Sequence, residues 1–256
     1  MTRIVAIANQ KGGVGKTTTA INLGASLAVM EKRTLLVDLD PQGNATTGLG
    51  IDRANLAKSI YDVFTGSLLL TDVVCKTLLP YLFVAPATKD LIGVEIELVS
   101  VEKREERLKR SLQPLAGEFD YLLIDCPPSL GLLTLNALTA ADTLIIPLQC
   151  EYYALEGLSS LLETLTLVQK ATNASLTLGG ILLTMFDSRN KLSRDVAEDA
   201  RKHFPDHVFR TVIHRNVRLS ESPSHGKPAL VYDFYCNGAQ NYLELAKEVI
   251  GKMEGK

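Results

Sequence analysis

The sequence has no tryptophan, and aromatic residues make up 6% of it. Its four cysteines, Cys75, Cys126, Cys150 and Cys236, form no C-x-x-C pair. A chain of 256 residues that is 46% apolar does not need disulfide staples to hold a core. Reduced thiols and a cytoplasmic location are therefore expected. No apolar run approaches the ~18 residues that span a bilayer. The opening Met-Thr-Arg leads straight into a short apolar stretch with no cleavage-site pattern, so a signal peptide is not expected either. There is no large excess of either charge. The formal net charge of -2 excludes a globally basic nucleic-acid binder but leaves room for a local basic face. Ser/Gly-rich linkers, internal repeats and low-complexity tracts are also missing, which predicts one domain over residues 1–256.

What the chain does have is alternation. Short apolar runs at Ile4–Ala8, Thr34–Asp38, Tyr81–Ala85, Tyr121–Asp125, Thr143–Pro147, Gly180–Thr184 and Val208–Ile213 read as strands. Several are apolar on both faces, which suits a sheet covered on both sides. Helical patterns at Thr18–Met30, Glu95–Gln113 and Gly157–Thr172 lie between them. Alternating strands and helices predict an α/β fold with a mostly parallel, twisted central sheet and helices on both faces.

The first predicted strand runs into Lys11-Gly12-Gly13-Val14-Gly15-Lys16-Thr17-Thr18, and a helical pattern follows at once. Strand, glycine-rich turn and helix are the setting a phosphate-binding P-loop requires. Glycines let backbone N–H groups close on phosphate oxygens, and the helix N-terminus adds partial positive charge. Lys16 suits the β- and γ-phosphates, Thr17 a position on Mg²⁺, and Thr18 the α-phosphate. ATP and Mg²⁺ are the expected cofactors. Lys11 stands too early in the loop to meet its own γ-phosphate easily; from the residues alone it is either an ordinary surface lysine or one that could reach the nucleotide of a second subunit packed face to face.

Two strands end in carboxylates at the edge where open α/β sheets bind ligands. One reads Val37-Asp38-Leu39-Asp40-Pro41-Gln42-Gly43-Asn44 and the other Tyr121-Leu122-Leu123-Ile124-Asp125-Cys126-Pro127-Pro128. Asp125 fits a Walker B aspartate holding Mg²⁺. Asp40 begins a Pro/Gly loop and suits orienting the attacking water beside the metal. Asp38 suits fixing the waters of Mg²⁺. The metal set is then Thr17, Asp40 and Asp125, with Lys11, Lys16 and Asp40 as the catalytic groups. Cys126 reads as a small buried residue after its strand.

Residues 187–227 hold nine Lys/Arg against six Asp/Glu, a balance of +3 that leaves -5 for the remainder, and all four histidines lie there. Composition alone makes this an ordinary solvated surface.

The P-loop, the Asp-Leu-Asp-Pro-Gln-Gly-Asn run and the Leu-Leu-Ile-Asp-Cys-Pro-Pro-Ser run together resemble the ParA/Soj family of deviant-Walker P-loop ATPases. The resemblance continues through the motif at 149–157 and through Arg215-Asn216-Val217-Arg218-Leu219-Ser220-Glu221 to Ser222-Pro223-Ser224-His225-Gly226-Lys227-Pro228, nearly the whole chain. It implies a slow Mg²⁺-dependent ATPase that forms a homodimer in its ATP state. That dimer binds double-stranded DNA without sequence preference, associates with the nucleoid, and is released when a ParB-like protein stimulates hydrolysis. Lys11 matches the lysine that contacts the partner's nucleotide, and Asp40 the aspartate needed for hydrolysis. Arg189 and Arg218 fall where the family contacts DNA, with Arg215 and Lys227 as further candidates. Asn216 matches an adenine contact; His214 stands where many members have proline. The strand begins a few residues after Met1, which suggests the small Soj-like type without an operator-binding extension, and chromosome as cargo, with plasmid DNA or a non-DNA cargo as the alternatives.

Related readings fit less well. A MinD-like membrane helix is opposed by the C-terminal segment 241–256, where Glu244, Glu248 and Glu254 offset Lys247, Lys252 and Lys256. No membrane partner is expected. An iron–sulfur protein of the nitrogenase type is opposed by the placement of Cys126 and Cys150, and a dethiobiotin-type ligase by the lack of a substrate-carboxylate motif.

Overall fold

The apolar runs assemble into one sheet. The computed structural model describes residues 2–152 and 154–255. Its strands are β1 (Arg3–Ile7), β2 (Thr34–Asp38), β3 (Cys75–Lys76), β4 (Leu82–Ala85), β5 (Tyr121–Asp125), β6 (Thr143–Gln149) and β7 (Thr177–Thr184), in the order β3-β4-β2-β5-β1-β6-β7. All neighbours pair parallel except β3, which runs antiparallel to β4 at the edge. The helices are α1 (Lys16–Val29), α2 (Asn44–Gly48), α3 (Ile60–Thr65), α4 (Leu91–Glu97), α5 (Arg107–Leu112), α6 (Leu132–Ala140), α7 (Ala154–Ala171), α8 (Lys191–His203), α9 (Val217–Glu221), α10 (Ala229–Tyr232) and α11 (Asn237–Glu254).

Both faces of the sheet are covered. Val5, Ile7, Leu36 and Leu123 point into a cluster with Leu23 and Leu27 of α1 and Leu245 and Val249 of α11. Ala6, Leu35, Val37 and Ile124 point the other way, toward Ala137 of α6, Leu158 of α7 and Val196 of α8. Every residue of β2 and β5 is buried, as their unbroken apolar runs require. The apolar stripe of α11 is likewise spent on the core, since Tyr242, Leu245, Ala246 and Val249 are buried. Among the described residues no helix is long and apolar enough to cross a membrane.

Two expectations fail. Val208–Ile213 is not a strand: it meets β7 through an isolated bridge between Val208 and Ile181. The backbone swings out at Arg210 and Thr211, whose N–H groups donate to the Glu248 carboxylate on α11 at 2.8 and 3.0 Å. A side chain thus takes bonds a ladder would have made. Glu95–Gln113 is not one helix either. It breaks between α4 and the 3₁₀ turn Arg104–Glu106, with Lys103 in the left-handed region at φ 53°. Asn136 of α6 stabilises the break by donating to the Arg104 carbonyl (3.0 Å) and accepting from the Leu108 N–H (3.1 Å).

Candidate functional site

Residues 8–18 leave the C-terminal end of β1 and enter α1. Gly13 (φ 76°) and Gly15 (φ 91°) take left-handed backbone that a residue with a Cβ adopts only under strain. A Cβ built on Gly12 or Gly13 would meet nothing within 4 Å, so these residues border open space, as a cradle for phosphate oxygens must. The loop is pinned from behind. Asn9 donates to the Pro147 carbonyl (2.7 Å) and accepts from the Lys11 N–H (3.0 Å), and the Thr184 hydroxyl donates to the Val14 carbonyl (2.8 Å). Thr19 in the first turn of α1 shares a hydroxyl contact with Tyr242 of α11 (3.1 Å).

Lys16 is buried, and its ammonium donates to the Lys11 carbonyl at 3.0 Å. Burial lowers its pKa, while Asp125, Cys126 and Asp40 pull it back up. The two carboxylate strands are neighbours, with Asp38 directly opposite Asp125 in the β2–β5 register. Both are fully buried. Asp38 is well satisfied. It accepts from the Thr46 N–H (2.8 Å), the Thr46 hydroxyl (2.7 Å) and the Asp40 N–H (3.1 Å). Burial still raises its pKa to about 6 against those bonds. Asp125 is the opposite case: both carboxylate oxygens are buried without a hydrogen-bond partner. Burial and then the neighbouring Asp38 drive its pKa well up, opposed by the Thr17 hydroxyl, which is close by but not in hydrogen-bonding geometry, and by Lys16. An unpaired buried carboxylate is costly unless a cation meets it. Asp125, faced by Thr17, therefore fits a hard divalent cation taking oxygen ligands.

Asp40 sits on a tight turn at the same edge. Its Oδ1 accepts from the Gln42 N–H (2.9 Å) and its carbonyl from the Gly43 N–H (2.8 Å). Cys126 is buried as expected, and burial pushes its thiol pKa up.

A cavity of about 380 Å³ adjoins the loop, lined by Thr17 and Thr18 on one side and His214, Arg215 and Asn216 on another. That volume suits a nucleoside beside the phosphate cradle. The Asn216 side-chain oxygen caps α9 through the Arg218 N–H (2.9 Å), which leaves its amide N–H₂ as the free edge. His214 is fixed by Asn241, with both its backbone N–H and its Nδ1 3.2 Å from the Asn241 Oδ1.

Lys11 is half exposed and turned to the Glu151 carboxylate at 2.6 Å. Glu151 belongs to the 149–157 motif; Tyr153 of that motif lies outside the described residues, as do the side chains of Leu155 and Glu156. Arg189 is exposed and forks onto Asp187 through Nε and Nη2, both at 3.0 Å. Arg215 faces the same Asp187, and these arginines hold its carboxyl down at about 2, Arg189 most strongly. Arg218 reaches Glu221 (2.8 Å) and Asp233 (3.3 Å) and lies over the Tyr232 ring. His225 stacks on that same ring. Lys227 follows the close approach of two loops, where the Gly226 carbonyl would lie 2.9 Å from a Cβ on Gly50 just beyond α2. The phosphate-loop residues, Asp38, Asp40 and Asp125 thus meet at one sheet edge, and the basic residues spread around its rim. Asn9, Thr46 and Thr184 serve the site through contacts no local pattern signals, and Glu151 meets Lys11 from within the 149–157 motif.

A family model described as an AAA domain matches residues 2–178. The chain is 58% identical over 249 residues to the sporulation initiation inhibitor protein Soj of Bacillus subtilis (strain 168), covering 97% of this chain and 98% of that one. It is 57% identical to the chromosome partitioning protein ParA of Myxococcus xanthus, over 97% of this chain and 88% of that one. A crystal structure from Mycobacterium smegmatis, described as cobyrinic acid a,c-diamide synthase with bound ATP analog and magnesium, superposes with TM-score 0.88 at 41% identity. That match covers 100% of this chain and 98% of the other.

Proposed function

The chain belongs to the Soj/ParA family of chromosome-partitioning ATPases, and we propose that its ATP state is a homodimer that binds double-stranded DNA non-specifically and moves or positions chromosomal DNA. The observation that carries the nucleotide chemistry is Asp125, whose two buried oxygens lack partners beside Lys16 and Thr17. Mg²⁺, when bound there, supplies charge neutralisation at the β- and γ-phosphate oxygens. The residues do the rest. Gly12 to Gly15 surround the phosphates with backbone N–H groups, Lys16 places its ammonium at the β- and γ-phosphates, and Thr18 takes the α-phosphate. Thr17 and Asp125 hold the metal, with Asp38 fixing the surrounding water. Asp40 accepts a hydrogen bond from the attacking water and orients it in line. Asn216 offers its free amide edge to the base.

Lys11 supports a dimer because its ammonium is at the surface and pairs with a half-exposed carboxylate. Such a pair is readily exchanged for a phosphate. In a face-to-face dimer Lys11 leaves Glu151 for the nucleotide of the second copy. Arg189, Arg215, Arg218 and Lys227 then supply phosphate contacts, weak singly and doubled by dimerisation on one DNA. A ParB-like activator that speeds hydrolysis would release the dimer from the nucleoid.

The test is DNA binding measured with ATP, with ADP and without nucleotide, over a salt series. Binding confined to ATP and falling steeply with salt supports the reading. An ATP dimer that ignores DNA would point to a positioning ATPase for another cargo. ATP-dependent amide formation on a carboxylate substrate, as the name of the Mycobacterium protein suggests, would replace the reading altogether.

A further inference from the structure

The turn that carries Asp40 is held from two sides. From inside, Asp38 takes the Asp40 N–H, and the same Asp38 holds Thr46 of α2, so both ends of the turn are tied to one buried carboxylate. From outside comes Arg53, a residue with no place in any motif. It opens the 3₁₀ turn Arg53–Asn55, and that turn is itself fixed: Asp52 accepts from the Ala54 N–H (3.0 Å) and the Asn55 amide (2.6 Å). From this base the guanidinium lies across the Asp40 turn. Nη2 donates to the Pro41 carbonyl at 3.1 Å and Nη1 to the Gln42 carbonyl. Gly43 lets it lie close, because a Cβ there would collide with the guanidinium.

A planar, always-charged fork spanning two successive carbonyls fixes the orientation of the peptide between them, which a single point contact does not. That peptide, Pro41–Gln42, lies one residue beyond Asp40, and its own N–H, that of Gln42, is the group bonded to the Asp40 carboxylate. The strap is also incomplete. The Arg53 Nε is buried and has no partner. A buried donor without an acceptor is unfavourable, so a small shift of the turn that brings a carbonyl to Nε would tighten the contact.

We infer that Arg53 is a positioning residue for ATP hydrolysis: by strapping the Pro41 and Gln42 carbonyls it sets where the Asp40 carboxylate stands. This rests on the reading of Asp40 as the group that orients the attacking water. Arg53 acts through the turn and does not touch nucleotide.

The experiment measures phosphate release at saturating ATP and ATP affinity by calorimetry, on the full chain with Mg²⁺. The variants are Arg53→Ala, Arg53→Gln and Arg53→Lys. Arg53→Ala lowers kcat about tenfold and leaves the ATP Kd within about twofold. Arg53→Gln behaves similarly, and Arg53→Lys, which keeps the charge and one donor, recovers part of the rate. Unchanged kcat in Arg53→Ala overturns the inference, as does a kcat loss matched by equal losses of affinity and Tm. If Arg53→Ala does not fold, Arg53→Gln is judged by the same two criteria. Asp40→Ala separates the levels. If it hydrolyses ATP normally, the reading of Asp40 fails first. If it keeps only a measurable residual rate and adding Arg53→Ala slows it no further, Arg53 works through Asp40. An additive loss in the double variant also overturns the inference.

Discussion

The nucleotide edge and the basic rim are built in opposite ways. At the edge, Lys16, Asp38, Asp40 and Asp125 are buried; the first three hold backbone groups of the adjoining loops, Asp125 holds none, and a displaced atom there leaves a buried charge uncompensated. At the rim, Arg189 and Arg218 are exposed; Arg189 pairs with Asp187 two residues away, and Arg218 with Glu221 on its own helix and with Asp233 just after α10. Exposed pairs of this kind contribute little to stability. The contrast separates a site fixed by the fold from a surface the fold merely presents: the first needs its geometry, whereas the second, in the DNA-binding role proposed for it, needs its charge to be available to phosphates that outcompete the local carboxylates.

Substitutions should sort along that contrast. The largest effect is expected for Lys16→Ala, which removes the ammonium from the phosphate loop. ATP binding by calorimetry should disappear, and normal binding would refute the assignment of the loop. Asp40→Ala comes next: ATP still binds, hydrolysis falls on the order of a hundredfold, and light scattering with ATP shows a persistent dimer. A monomer there would count against the sandwich arrangement. At the rim, Arg218→Glu should weaken DNA binding at low salt by about tenfold or more while the ATP dimer still forms. Arg189→Glu should follow with a smaller loss. Equal DNA affinity in both variants would place the DNA elsewhere.

The smallest effect is a pH-dependent response to metal. The Asp38 carboxyl titrates near 6 in the fold, above its unfolded value, and Asp125 is raised as well. A raised carboxyl contributes stability below the ordinary carboxylate range and loses it as pH rises through the folded value. The metal-free protein should therefore weaken between about pH 4 and 7, where the pair becomes charged. Mg²⁺ should raise Tm by a few degrees at pH 7.5 and by much less at pH 5. An equal rise at both would mean that the pair does not meet the metal.

The parts of this molecule legible in sequence are those whose causes are local. The P-loop spacing, the left-handed glycines and the carboxylates closing two apolar runs each depend on neighbours along the chain. What stayed hidden depends on residues far away. Val208–Ile213 carries an apolar run, yet Glu248 on α11 draws its backbone out of the sheet. The helical period of Glu95–Gln113 is real on either side of a break that Asn136 caps from α6. Arg53, Asn9 and Thr184 act on the site through bonds to backbone carbonyls, for which side-chain type carries no signature. The burial of the C-terminal stripe, by contrast, agrees with its mixed charge.

The meeting of Gly50 and Gly226 has a mechanical consequence. Gly50 closes the segment that starts at the Asp40 turn, and Gly226 immediately precedes Lys227 on the rim. The two backbones touch with no side chain between them: a Cβ on Gly226 would lie 2.8 Å from the Gly50 Cα. A side chain at such a junction can rotate and absorb a displacement, whereas bare backbone transmits it. Any travel of α2 would therefore pass directly to the turn bearing His225 and Lys227, so the junction mechanically joins the segment after Asp40 to that part of the rim.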